Sequence, residues 1–357
     1  MQVGITGYAS AGKTTVFNCL TGSDAETGFG GGKEANRANI KVPDERIDEL
    51  SAIFEPKKTT YATISFVDLP SPQDGADNDA LDAQTAGELR RMDALVHVVR
   101  GFEDDGVMAR HDQVEPLRDL TDFDTELALA DIVVIDGRIE RLKKEGKKTR
   151  ELETLEKLAE AMEGGEKPAR TLELDEATLG VLSGFQLLSL KPQIVLLNLG
   201  DDADPEEAKR QEEALIAEAE PRGITVMALR PIVEKEIAQL PAEDQASFLE
   251  DLGIKMTARP RFIRSCYGML DLISFFTVGE DEVRAWTITA GTQAQRAAGK
   301  IHSDLERGFI RAETVAYDDF MSSGKKLAKA REAGKLRLEG KDYVVVDGDI
   351  INVRFNV

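Results

Sequence analysis

The octapeptide Gly7-Tyr8-Ala9-Ser10-Ala11-Gly12-Lys13-Thr14 has the G-x-x-x-x-G-K-[ST] spacing of a phosphate-binding loop. Its glycines let backbone N–H groups of Gly7, Ser10, Ala11, Gly12 and Thr15 converge on the α- and β-phosphates at a helix N-terminus, where the dipole favours anions. Lys13 is then expected to reach the β/γ-phosphates and the Thr14 hydroxyl to ligate Mg²⁺. Asp68 ends the apolar run ATISFVDL, from which a second carboxylate can hold the magnesium shell through water; a plain turn or cap aspartate is the competing reading. Asn198-Leu199-Gly200-Asp201 has the spacing of the Asn-Lys-x-Asp base reader, whose carboxylate accepts from guanine N1 and N2. Leu199 stands where a lysine would stack across the base, so the choice between adenine and guanine stays open. Tyr8, inside the loop, is a candidate to lie over a bound nucleotide.

The elements that must position these residues follow from hydrophobic pattern. QVGIT (2–6) is β-favourable, and Val16, Phe17 and Leu20 after the loop have helical spacing. ATISFVDL, ALVHVVR, QIVLLNL and ITVMAL are short, mostly apolar runs, as buried parallel strands are. Together they predict a doubly wound α/β domain over 1–116 and 189–272. Between them the β signal stops. Leu127, Val134, Ile135, Ile139 and Leu142 give one helical stripe and Leu152, Leu155, Leu158 and Met162 another, with KKEGKK between them. A helical hairpin arm with a basic tip is expected over 117–188. Over 273–357, EVRAWTI reads as a strand, AQRAAGKIHSDLERG as one helix and FIRAETVAY as a further strand. KDYVVVDGDIINVRF reads as a hairpin turning at Asp347-Gly348, which completes a β-grasp-type α+β domain.

Composition bounds the partners. The 357 residues carry a formal net charge of −21, which repels nucleic acid at long range and leaves RNA contact to local patches, with no DNA sequence recognition expected. Two such patches stand out, 140–150 with six basic and two acidic residues and 325–341 with seven and two. Cys19 and Cys266 fit no metal or redox spacing, and His97, His111 and His302 have no ligand partners at zinc spacing. His97 and Trp286 read as packing residues. With no leader-like start and no apolar run long enough for a membrane helix, a cytoplasmic chain is expected.

With these residues in place, the chain resembles the YchF-type Obg-like ATPases, a P-loop family with a helical arm and a C-terminal TGS-type domain. The likeness runs end to end and is most specific in VPDERIDEL (42–50), DALVHVVRGFED (93–104), GKIHSDLERGFIRAETVAYDDF (299–320) and GKLRLEGKDYVVVDGDIINVRFNV (334–357). It implies binding of ATP or GTP with Mg²⁺, slow hydrolysis with K⁺ as a candidate activator, and association with the ribosome or another RNA-containing translation complex. The departures gather at the nucleotide. Where the family presents a switch threonine, this chain has Gly30, Gly31 and Gly32; Ser71 and Pro72 replace the glycine and hydrophobic residue of the second switch; and Asp201 stands for the family's glutamate. The phosphate loop keeps its functions, but neither Pro72 nor the glycine switch offers a side chain to place a water. Two readings therefore stand, a slow triphosphatase acting as a conformational switch and a hydrolysis-deficient nucleotide-binding regulatory or scaffold protein. A small-molecule kinase would explain the first motif and leave the arm and the C-terminal domain unexplained.

Overall fold

Val3 and Ile5, Val67, the run Ala94 to Val99 and the run Ile194 to Leu197 are all essentially inaccessible to solvent. Strands apolar on both faces must be covered on both faces, and the computed structural model shows that arrangement. It describes residues 1–26, 35–70, 81–104, 113–146, 149–241, 244–245 and 257–356. The chain divides into two compact units, Met1–Asn39 with Ser65–Ser265, and Ile40–Ile64 with Cys266–Val357.

The first unit is built on a six-stranded sheet formed by β1 (Gln2–Thr6), β2 (Asn36–Lys41), β4 (Thr63–Asp68), β5 (Ala94–Gly101), β6 (Gln193–Leu199) and β7 (Thr225–Leu229). Their order is β2-β4-β1-β5-β6-β7, and β1 pairs parallel with both β4 and β5. The chain thus leaves β1 toward one edge, returns across it, and continues to the other edge. The carboxyl end of β1 lies at this reversal, the place where open α/β sheets bind ligands. Helices α1 (Lys13–Thr21), α3 (Ala83–Arg90), α7 (Pro205–Ala219), α8 (Pro231–Gln239) and α9 (Ala258–Met269) complete this α/β layer.

The crossover from β5 to β6 holds the arm: α4 (Pro116–Lys144), α5 (Arg150–Ala161) and α6 (Glu176–Leu182). Its core joins Ile135, Ile139 and Leu142 of α4 to Leu152, Leu155, Leu158 and Met162. Val134 of the expected stripe is only half-buried, while Ala128 and Asp131 complete the buried face. The arm also begins later than the boundary at 117. Leu120 packs with Val99 and Val195, and Phe123 and Leu127 pack with Val67 and Leu95, so the first turns of α4 belong to the α/β core.

In the second unit the sheet order is β11-β10-β12-β8-β9-β3. Its strands are β3 (Lys58–Thr60), β8 (Leu272–Thr277), β9 (Glu282–Thr289), β10 (Phe309–Ala316), β11 (Arg337–Glu339) and β12 (Asp349–Phe355). Antiparallel β8–β9 and β10–β12 pairs meet through a parallel β12–β8 contact, and α10 (Ala294–Ile301) covers Phe275, Ala312 and Ile351, a β-grasp arrangement.

Three features differ from the pattern-based expectation. The expected single helix breaks at His302 into α10 and α11 (Ser303–Arg307), because His302 is extended (φ −162°) and its imidazole accepts from the Asp304 N–H. Asp347-Gly348 makes a turn into β12 but no hairpin. The preceding Tyr343–Val345 is tied instead to the start of α10, with Ala294 N–H donating to Tyr343 C=O and Val345 N–H to Thr292 C=O. Finally, 40–64 belongs to the second unit. β3 pairs parallel with β9 in the register Lys58 with Glu282, and α2 (Glu45–Phe54) is held by Arg46, which donates to Asp44 and Asp347, and by Phe54 stacked on Phe320 at 5.7 Å. β3 is three residues of Lys and Thr, too short and polar to carry a strand signal.

A buried carboxylate ties the arm helix to α3 and to the turn before β6. Asp131 is fully buried in α4; its Oδ1 accepts from Leu188 N–H and Arg90 Nη1, and its Oδ2 from the backbone and hydroxyl of Ser189, all at 2.8–2.9 Å. Removing it leaves the Leu188 and Ser189 donors buried and unpaired, while Arg90 keeps the Ala130 and Gln186 carbonyls. Asp131→Ala is expected to lower the unfolding free energy by about 3–5 kcal/mol, measured by urea denaturation, and a loss below about 1 kcal/mol would show that the carboxylate does not hold the crossover.

Candidate nucleotide site

The loop between β1 and α1 takes backbone conformations that its sequence permits only at chosen positions. Gly7 (φ 138°) and Gly12 (φ 83°) carry positive φ, and Ser10 (φ 62°) adopts the left-handed region as well. Space enforces the same choice. A Cβ on Gly7 would lie 2.4 Å from the Val98 carbonyl oxygen, and one on Gly12 would lie 2.2 Å from the Asn198 amide. The loop closes on α1 with Ala11 N–H donating to Tyr8 C=O and Val16 N–H to Gly12 C=O.

Lys13, Thr14 and Asp68 converge at this end of the sheet. The Lys13 ammonium donates to the carbonyls of Gly7 at 2.9 Å and Tyr8 at 2.8 Å. The Thr14 hydroxyl donates to Asp68 Oδ2 at 2.9 Å, and the Asn36 amide donates to the same oxygen at 3.1 Å. Asp68 comes to α1 because β4 lies beside β1 in the register Ile5 with Asp68. Its other oxygen, Oδ1, is buried with no hydrogen-bond partner among the described residues. Burial lowers the Lys13 ammonium to about 8, opposed more weakly by the Asp68 charge. The same desolvation raises the Asp68 carboxyl above the usual range, against hydrogen bonds from Asn36 and Thr14 and the charge of Lys13. Each ionised group is thus held in a place that disfavours its charge, an arrangement suited to a ligand that brings counter-charges.

The donor set fits a magnesium ion carried by a nucleotide better than a resident transition metal. It offers one hydroxyl and one carboxylate with an unsatisfied oxygen, and no group of three or more His, Cys, Asp or Glu side chains able to cage a metal occurs among the described residues. A cavity of about 290 Å³ lies on the switch side of Asp68, lined by Ala35, Arg37, Leu69 and Pro70 with Gln84, Thr85 and Glu88. No phosphate-loop residue lines it.

The base-reader segment divides. Asn198 is buried at the end of β6 and its amide donates to Ala11 C=O at 2.9 Å, so it braces the phosphate loop. Leu199 packs in the core with Val99, Leu120 and Ala208, its side chain turned away from the site. Asp201 is exposed just beyond the strand. Phe102 is the residue that pattern missed here. Its ring would lie 3.8 Å from a Cβ on Gly12 and its own Cβ 3.5 Å from one on Gly200, and the Arg100 guanidinium sits over the ring at 4.8 Å. Asn36 was also missed, since an amide opening a polar strand carries no motif.

Tyr8 is not placed to cover a nucleotide. It is 3% exposed, its ring packs edge-on against His97 and Phe123, and its hydroxyl donates to Glu126 at 2.7 Å. His97 stacks on Phe123 at 4.1 Å inside the core, and Trp286 packs in the β-grasp unit with Nε1 donating to Thr277. The glycines at 30–32, Ser71, Pro72 and His111 lie outside the described residues.

Comparison with known proteins agrees with this geometry. Residues 2–136 match the family model described as 50S ribosome-binding GTPase, and 272–356 match the YchF-GTPase_C model, described as a protein of unknown function. The protein called ribosome-binding ATPase YchF is 40% identical in Bacillus subtilis over the whole of both chains; that of Escherichia coli O157:H7 is 38% identical over all of this chain and 99% of its own. Among solved structures, the Schizosaccharomyces pombe YchF GTPase has a TM-score of 0.83 at 28% identity, covering 99% of this chain and 97% of that one. A GTP-binding protein of Pyrococcus horikoshii, at 18% identity and a TM-score of 0.61 over the whole of both chains, shares the fold. The phosphate loop, the Asp68 contact, the arm and the β-grasp unit thus stand in one chain alongside full-length identity to these relatives, and the protein belongs to the YchF family of P-loop nucleoside triphosphatases.

Proposed function

We propose that the protein binds ATP or GTP with Mg²⁺, hydrolyses it slowly, and uses the bound nucleotide to govern its association with the ribosome. The observation that carries this reading is the Thr14–Asp68 contact at 2.9 Å, which leaves Asp68 Oδ1 buried and unpaired beside Lys13. Thr14 and Asp68 would hold the ion, which neutralises charge on the β- and γ-phosphates when bound. The backbone N–H groups of Gly7 to Thr15 bind the α- and β-phosphates, and the Lys13 ammonium, fixed by two loop carbonyls, stabilises charge that grows on the transferred phosphoryl group. Asn198 keeps the loop in register, and the exposed Asp201 offers a carboxylate to guanine donors, whereas the bacterial relatives are named ATPases. Slow turnover is supported by sequence alone. Gly30 to Gly32 and Pro72 bring no side chain that orients a water.

The ribosome as partner is supported by the names of the full-length relatives and by exposed cations at two places. At the arm tip Arg141, Lys143, Lys144 and Arg150 are exposed, although Lys143 pairs with Glu156 and Lys144 with Glu140. In the β-grasp unit Lys325 and Lys326 are exposed and make no ion pair among the described residues. Such a partner places the protein in the cytoplasm. No described helix is long and apolar enough to cross a membrane.

Phosphate release measured with ATP and with GTP, with and without K⁺ and 70S ribosomes, tests the reading. A low basal rate that ribosomes raise by about tenfold, and that Lys13→Ala abolishes, is expected. No turnover above background under any of these conditions would remove the triphosphatase and leave a nucleotide-binding regulatory protein in its place.

The lowered ammonium of Lys13 gives a second test. Phosphate favours the charged lysine, so the bound form has the higher pKa and binding takes up a proton once the pH exceeds the free value of about 8. Nucleotide affinity is therefore expected to be flat near pH 7 and to fall by about tenfold per pH unit above the free Lys13 value, until the pH reaches the raised pKa of the bound form. Calorimetric titrations across pH 6.5–9.5 read this directly, and a constant affinity over that range would contradict a buried, charge-paired Lys13.

A further inference from the structure

We infer that Glu126 is a positioning residue that fixes the phosphate loop and the entry to α3 on the root of the arm helix. Its two carboxylate oxygens serve two places in the chain. Oε1 accepts from the Tyr8 hydroxyl at 2.7 Å, and Oε2 accepts from the Leu81 N–H at 3.1 Å. Tyr8 is the second residue of the phosphate loop, and its own carbonyl accepts from the Lys13 ammonium at 2.8 Å. Its ring cannot slide independently of Glu126, because it stands edge-on to both His97 (6.3 Å) and Phe123 (6.4 Å), and Phe123 lies one helical turn before Glu126 on α4. From carboxylate to ammonium the path is therefore Glu126, the Tyr8 side chain, the Tyr8 backbone and Lys13. Leu81 follows the segment that leaves Asp68 and comes directly before Asp82, whose side chain caps α3 by accepting from Thr85 N–H.

Glu126 thus ties the backbone of the loop that holds Lys13 to the backbone that enters α3. That side chain sits on the rigid helix that also carries Lys143 and Lys144 at the arm tip. A carboxylate accepting from one hydroxyl and one amide suits this work, since each oxygen takes a different donor and neither bond competes with the other. Displacement of the α4 root moves the phosphate loop and the start of α3 together, and by linkage a ligand that fixes the phosphate loop fixes the root.

The inference rests on the nucleotide-binding reading for its affinity readout, and the amide exchange of Leu81 tests it without any nucleotide. In the full chain, Tyr8→Phe and Glu126→Leu are each expected to weaken nucleotide binding by about fivefold, and the double variant by about fivefold in total rather than the product of the two, because they cut one path. Glu126→Gln can accept from Leu81 while donating to the Tyr8 oxygen and is expected to stay within about twofold of the parent. Leu81 amide exchange is expected to accelerate about tenfold in Glu126→Leu and to hold in Tyr8→Phe. Additive losses, a Glu126→Gln variant as weak as Glu126→Leu, or unchanged Leu81 exchange would overturn the role of Glu126. If the parent protein bound no nucleotide, the triphosphatase reading would fail, and Leu81 exchange in Glu126→Leu would still decide the positioning role.

Discussion

The buried carboxylate of Asp68 is the constraint on which the site depends. A charge with 4% exposure at the end of a parallel strand is costly unless polar groups meet it, and here Thr14 and Asn36 meet only one of its two oxygens. The hydroxyl comes from the helix after β1 and the amide from the start of β2, so three separate stretches must arrive at one point. The sheet order that puts β4 beside β1 supplies that meeting, and the positive-φ glycines of the loop let α1 begin close enough to share it. Lys13 is buried by the same geometry and held by carbonyls of its own loop. Under the proposed function, a phosphate and a divalent ion together would relieve the burial of these charges.

Much of this was legible in sequence because backbone demands at the loop are severe. Gly7 and Gly12 tolerate no side chain, Lys13 and Thr14 follow in the only order that serves a phosphate and a cation, and the flanking strand and helix have distinct periodicity. The arm was legible as well, since its two apolar stripes interdigitate nearly as their spacing requires. What pattern missed consists of polar residues that act through tertiary contact. Asn36, Glu126 and Asp131 sit in elements whose periodicity is unaffected by them, and Phe102 is one aromatic after a strand.

The assignment of 40–64 was hidden for a related reason. Its helix and short strand look like any connection between β2 and β4, yet Arg46 bridges Asp44 and Asp347, Tyr317 donates to Glu49, and β3 extends the β9 edge. These partners lie more than two hundred residues away in sequence, beyond the reach of local pattern. The consequence is topological. The chain leaves the nucleotide-binding unit just after Asn36, contributes to the β-grasp unit, and returns to deliver Asp68, so both side-chain partners on either side of the excursion belong to the site. Tyr8 teaches a similar lesson. Read alone it suggested a ring over a nucleotide, but an aromatic behind a loop packs inward when the core offers His97, Phe123 and a carboxylate.

The central claim is that Asp68, with Thr14, is built for a magnesium-bound nucleotide. Calorimetric titration of the parent protein and of Asp68→Ala with the same nucleotide, in Mg²⁺ and in EDTA, tests it most directly. Mg²⁺ is expected to tighten binding to the parent by about tenfold or more and to leave Asp68→Ala nearly indifferent to the ion. Equal strengthening by Mg²⁺ in both proteins would contradict it.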